Sequence, residues 1–116
     1  MNKEEVFNEL CEEGIKITGI DIRNAPRRKK ENIHLRASIM VILMNYFGVT
    51  TTNSGKMFNR DHTTAVHHRA NHQWRYKTDD EYADVYDRLV RYVVAMNKDR
   101  TQVDLNEVLD LIKMIS

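Results

Sequence analysis

A chain of 116 residues with 41% hydrophobic and 30% charged side chains has the composition of one globular domain, and it is too short for a nucleotide-hydrolysing motor beside a second domain. One proline and four glycines leave little turn chemistry for a many-stranded sandwich or barrel, so the expected fold class is all-α. The net charge of +1 hides a segregation: residues 1–22 carry two basic and six acidic side chains, residues 23–75 ten and two, and residues 76–116 six and nine, a basic centre suited to a polyanion.

Lys3 to Glu13 places Val6, Phe7, Leu10 and Cys11 at helical spacing among glutamates, which predicts an amphipathic helix ending at Gly14. From Ile17 to Lys30 the pattern dissolves through Thr18-Gly19 and Asn24-Ala25-Pro26 into Arg27-Arg28-Lys29-Lys30, a connecting segment closed by an exposed basic cluster. Between Glu31 and Phe47, the residues Ile33, Ala37, Met40, Val41, Met44 and Phe47 recur at three- and four-residue steps and predict a long helix stopped by Gly48. Thr51 to Phe58 reads as a short helix with a threonine cap, Asn59-Arg60 as a brief turn, and Asp61 as the cap of a helix running to about Tyr76. Asp79-Asp80-Glu81 then opens a helix with an apolar stripe of Tyr82, Val85, Tyr86, Leu89, Val93 and Met96. Asn97 to Gln102 is expected as a loop, and Val103 to Ile115 as a sixth helix with Leu105, Val108, Leu109 and Ile112 on one face. Residues 1–76 are therefore expected as the main unit. Residues 77–116 form a helical extension that packs on it or mediates association, as a homodimer or with a protein partner.

In a helix-turn-helix, the first residues of the second helix face base edges in the major groove. Arg60, Asp61, His62, Thr63 and Thr64 occupy that position, and their chemistry suits it. Histidine and threonine hydrogen-bond base edges, a threonine methyl meets the thymine methyl, and aspartate accepts from a cytosine amino group. The stretch Arg60-Asp61-His62-Thr63-Thr64-Ala65-Val66-His67 closely resembles the signature of the C-terminal DNA-binding domain of the DnaA replication-initiator family. The similarity extends through Arg36, Gly55 and Phe58, covers roughly Val6 to Gln73, and includes a basic loop before the long helix.

The resemblance implies an all-helical helix-turn-helix domain that binds double-stranded DNA with sequence preference. It assigns Asp61, His62 and Thr63 to base contacts in the major groove, and Arg36 and Thr64 to phosphates, with Arg60 and Lys56 as cations beside them. The basic loop of Arg27, Arg28, Lys29 and Lys30 is assigned to the minor groove, Arg28 being best aligned for insertion. A bacterial or bacteriophage source follows by the same resemblance, with a role in regulating replication or transcription from the cytoplasm. Departures narrow it. A single residue, Asn59, separates Phe58 from Arg60 where the family has two glycines. Thr51-Thr52 and Ser54 stand where it has a Leu-Pro pair and an isoleucine, and no motor domain is expected within 116 residues.

Other chemistries find less support. Gly55-Lys56 ends like a phosphate-binding loop, but Thr50 stands where the first glycine belongs and Met57 where the magnesium-binding hydroxyl belongs, so no nucleotide is expected. His68 and His72 share a helix face at metal-binding spacing, yet the lone Cys11 and the scarcity of nearby carboxylates favour packed or phosphate-facing histidines over a metal. Ser38, Ser54 and Cys11 sit in no nucleophile motif, so neither an enzyme nor a cofactor is expected. Trp74 and Tyr76 are expected to pack against the C-terminal helices rather than to stack on single-stranded bases. The longest apolar run, Ile39 to Met44, is too short to cross a bilayer, and Met1 to Glu5 lack an export signal, so a soluble protein is expected. The competing reading is an interaction module that keeps the helix-turn-helix as scaffold and works through its acidic C-terminal helices.

Overall fold

The computed structural model describes residues 2–26, 29–100 and 112–114, and these are all-helical. Five helices follow in order: α1 (Lys3–Thr18), α2 (Lys30–Phe47), α3 (Thr51–Met57), α4 (His62–Thr78) and α5 (Asp80–Arg100). Residues 112–114 are also helical, with Ile112 exposed; the rest of the expected sixth helix, with Leu105, Val108 and Leu109, lies outside the described residues. No helix among the described residues is long and apolar enough to cross a membrane.

Helix α1 starts on Asn2, whose side chain accepts the Glu5 N–H at 2.8 Å, with Glu4 and Glu5 placed where the helix dipole favours negative charge. It does not stop at Gly14 as the sequence pattern predicts. It continues to Thr18 and ends on Gly19, which takes the left-handed conformation (φ 77°) and donates to the Ile15 carbonyl. Gly14 instead marks a helix crossing. A Cβ there would lie 3.1 Å from Leu35 Cδ1, so the missing side chain lets α1 approach α2.

Helix α2 is the axis of the fold. The sequence predicts one apolar face, but every residue from His34 to Met44 is buried, so the helix is enclosed on all sides. Ile33 and Phe47, expected on that face, are only half-buried at its two ends. Val6, Leu10 and Cys11 of α1 and Leu89, Val90 and Val93 of α5 pack on α2 in one continuous core. The Tyr92 hydroxyl donates to Glu9 and ties α5 to α1. Helix α5, at the start of the extension expected from residue 77, shares the core built by α1 and α2. Backbone helix also runs through Asn97 to Arg100, where a loop is expected; no glycine or proline interrupts it, and buried Met96 continues the stripe.

Helices α3 and α4, joined by a tight turn, also pack on α2. Thr50, one residue before the threonines favoured by the sequence pattern, caps α3 by accepting the Asn53 N–H at 3.1 Å. The turn closes through the Arg60 N–H, which donates to the Gly55 carbonyl at 2.8 Å, and Asn59 takes the left-handed conformation (φ 55°) that asparagine tolerates better than most residues. A second, smaller cluster of Met40, Met44 and Ala65, flanked by Phe58, seats α4 on α2. Phe58 also meets Phe7 edge to face at 5.2 Å, so the turn is anchored to α1.

Gly55 sets the spacing of this unit. A Cβ on it would lie 2.5 Å from the Asp61 carbonyl oxygen and 2.9 Å from that of Arg60, both backbone atoms that cannot swing away. Gly55→Ala is therefore expected to destabilise the fold by about 1–3 kcal/mol despite the better helix propensity of alanine. Gly14→Ala, which meets only the flexible end of Leu35, should cost less. Thermal melts of the two variants check the order, and a Gly55→Ala melt at or above that of the parent would refute the close approach.

Candidate nucleic-acid interface

Asp61, His62 and Thr63 emerge side by side, all exposed, at the N-terminus of α4. The Asp61 carboxylate accepts the Thr64 N–H at 3.3 Å, so one of its oxygens caps the helix while the other is left for a ligand. Thr64 is half-buried, and Ala65 beneath it is fully buried against Met40 and Met44. Lys56 is exposed at the end of α3, and Arg60 is half-buried in the turn. The α4 sequence contains no Asp or Glu, whereas it carries Arg69, Arg75 and Lys77. The tip is thus a helix N-terminus, where the dipole contributes partial positive charge, bearing three exposed polar side chains of which Asp61 is the acidic one.

The basic residues divide sharply by environment. Arg36, expected on a phosphate, is only 6% exposed and lies behind α4, so its charge acts from within the fold; direct phosphate contact would require its side chain to emerge. Arg23 is held by Glu12 and Asp21, each at 2.8 Å, so this part of the basic centre is neutralised locally. Of the basic loop, Lys29 is exposed at the cap of α2, and Lys30 is exposed but approaches Asp79 at 3.9 Å. Arg27 and Arg28 lie outside the described residues. The N-terminal side of the loop is tied to α2 by Asn32, whose side-chain amide donates to the Pro26 carbonyl at 2.7 Å.

The histidines at i and i+4 turn inward. His68 is 5% exposed, and its Nδ1 accepts from the Arg75 guanidinium at 2.9 Å. Because an arginine always donates, this bond selects the neutral ring with its proton on Nε2. Burial, followed by the charges of Arg75, Arg36, His67 and Arg60, pushes the His68 pKa down to about 4. His72 shares a 2.7 Å hydrogen bond with the Tyr82 hydroxyl and packs on Tyr86, and burial followed by Arg75 lowers its pKa. Tyr76 packs toward the core and donates to Asp87 at 2.8 Å. Trp74 does not follow it: two residues apart on a helix means about 200° of rotation, and the indole is 68% exposed.

Among the described residues, His34, Asp79 and Glu81 bring potential metal-ligand atoms within 4.8 Å of one another. Asp79 is already committed there: it bonds His34 Nε2 at 3.1 Å, caps α5 by accepting the Tyr82 N–H at 3.2 Å, and has the Lys30 ammonium 3.9 Å away. The group ties the start of α2 to the junction of α4 and α5, and the lysine opposes a second cation. A cavity of about 670 Å³ opens on the flank of α4, lined in part by Tyr46, His72, Tyr76 and Tyr86. The hydroxyls of Tyr46 and Tyr86 are 3.3 Å apart and bonded to each other, and that of Tyr76 is held by Asp87.

The buried His68 makes stability depend on pH with a definite sign. In the unfolded chain the ring titrates near 6.5, whereas in the fold it stays neutral to about 4. Between those values the unfolded state binds the extra proton, so the His68 contribution is intact above pH 6.5 and is lost as pH falls toward 4. The slope is at most about 1.4 kcal/mol per pH unit for one such group. Urea midpoints measured across this range should fall on acidification. His68→Gln, which keeps an acceptor for Arg75, should flatten the fall and leave the share of His72; an unchanged profile would show that His68 is not the titrating group.

Comparison with known proteins finds no match: no family model, no curated protein and no solved structure matches the chain.

Proposed function

We propose that the chain is a sequence-preferring double-stranded DNA-binding protein that lays the N-terminal end of α4 in the major groove. One observation carries the reading: Asp61, His62 and Thr63, the residues that the DnaA-like stretch Arg60 to His67 assigns to base edges, are the exposed tip of a helix that carries no acidic residue after Asp61. The short α3 and the turn at Asn59 and Arg60 provide the mount, as in a helix-turn-helix. Backbone affinity comes from Lys56, Arg60, Thr64 and the basic loop, in which Arg28 is the minor-groove candidate. Arg36 supports the helix from beneath. A regulatory role in replication or transcription, in a bacterium or a bacteriophage, rests on the resemblance, and so does a cytoplasmic location. No ATP-driven step is part of this proposal.

Selection from a random duplex library, followed by binding measured by fluorescence anisotropy of labelled DNA, tests the reading. The parent chain should enrich a defined site. His62→Ala and Thr63→Ala should each reduce preference for that site by roughly five- to a hundredfold, the range of one good base contact. Arg28→Ala should weaken all duplexes alike and lower the salt slope by about one. Unchanged selectivity in both α4 variants would remove this helix as the reading element, and absence of enrichment would favour the interaction module built on the C-terminal helices.

A further inference from the structure

Trp74 is the only tryptophan in the chain and is 68% exposed, on a helix whose other large aromatic, Tyr76, is turned toward the core. Steps of four, three and four residues lead from Thr63 through His67 and Ala70 to Trp74, so these side chains share one face of α4, and all four are exposed. The face is continuous with the tip formed by Asp61 to Thr63. Ala70 adds no bulk between them, and the His67 ring is held along the helix by the Asn71 amide at 3.1 Å. Lys77 is exposed on the turn after Trp74, and no carboxylate occurs from His62 to Thr78. An exposed indole on a cationic helix face that continues a DNA-facing surface fits a polyanion better than an acidic or purely apolar protein partner.

The distance along the helix specifies which part of a duplex it meets. Eleven residues at 1.5 Å each place Trp74 about 16 Å beyond Thr63, whereas the major groove is about 12 Å wide. With Thr63 at base edges, an α4 that runs across the groove carries the indole past it to the rim of sugars and phosphates. We propose that Trp74 is a second duplex contact, its ring against the sugar-phosphate backbone at the flank of the site, its Nε1–H donating to a phosphate oxygen and Lys77 adding a cation. This rests on the DNA-binding reading above and extends it: the contact contributes affinity independent of base sequence and lengthens the protein's footprint on the duplex.

Because no other tryptophan is present, the intrinsic fluorescence of the unmodified chain reports on this residue directly. The enriched duplex and a scrambled duplex are each titrated into the full chain, with acrylamide quenching of Trp74 followed alongside anisotropy of the labelled DNA. Saturation with either duplex should reduce the quenching constant by about twofold or more. Trp74→Ala should weaken both duplexes by roughly five- to tenfold with the ratio between them unchanged, and its melting temperature should stay near that of the parent because the side chain is exposed. Trp74→Phe, which keeps a ring but loses the N–H, should fall between. If anisotropy shows binding while the quenching constant and the Trp74→Ala affinity do not change, the contact is wrong and the α4 tip still stands. If no duplex binds at all, the DNA reading falls and this inference with it. Protection that develops with protein concentration alone would assign the face to a second copy of the chain and overturn the proposal.

Discussion

The enclosure of α2 is the constraint from which the rest of the molecule follows. A helix buried from His34 to Met44 has no solvent face, so its polar residues must find partners inside the fold. Ser38 turns its hydroxyl back to the His34 carbonyl at 2.8 Å, and His34 reaches Asp79. Arg36 sits with Arg60 and Arg75 around His68 and helps to keep that ring uncharged. Each solution fixes another element: Asp79 the junction of α4 and α5, and His68 the underside of α4. The buried polar groups thus set the orientation of the candidate reading helix, while apolar burial supplies most of the stability.

Small residues set its distance. Gly55 admits the Asp61 carbonyl, Ala65 admits Met40 and Met44, and Gly14 admits Leu35, so three close approaches depend on side chains of one carbon or none. With the turn held this tightly, the tip of α4 has its position set by α3. The electrostatic consequence differs from the count of charges. Ten basic residues fall between positions 23 and 75, but Arg23 is paired with carboxylates, Arg36 is buried, and Arg75 is bonded to His68. The exposed positive charge among the described residues is therefore smaller than the composition indicates, with Lys56 and Arg69 on α3 and α4 and Lys29 at the cap of α2 among the residues that carry it.

Much of this was legible from periodicity. Helix α2 and the stripe on α5 follow from three- and four-residue spacing, because amphipathic burial writes itself directly into the chain, and α3 and α4 follow from their capping and turn residues. What was not legible depended on the neighbour rather than on the local pattern. Gly14 has the same identity whether it ends a helix or admits another, and only Leu35 decides between them. Full enclosure of α2 cannot be read from one helix, since a second face is buried only when other helices cover it. Arg36 matched a family position in sequence, yet its environment depends on how α4 crosses α2. At the candidate site, residue types, positions and the cap at Asp61 were visible, while the commitment of Arg75 to His68 was not.

The C-terminal half of α4 shows how one requirement produces another. Contact with α5 demands an aromatic face, supplied by His72 on Tyr82 and Tyr86 and by Tyr76 on Asp87. These residues are four apart and occupy a single stripe, so the helix has no rotation left to choose. Trp74, midway between them in sequence, is then directed outward by geometry alone, although a ring of that size is the costliest on the chain to leave in water. A polar residue at this position would satisfy the fold equally well and improve solubility. The aromatic contact with α5 therefore explains where the indole points, and the proposed duplex contact, on the same face as Thr63 and His67, is a reason for an indole there.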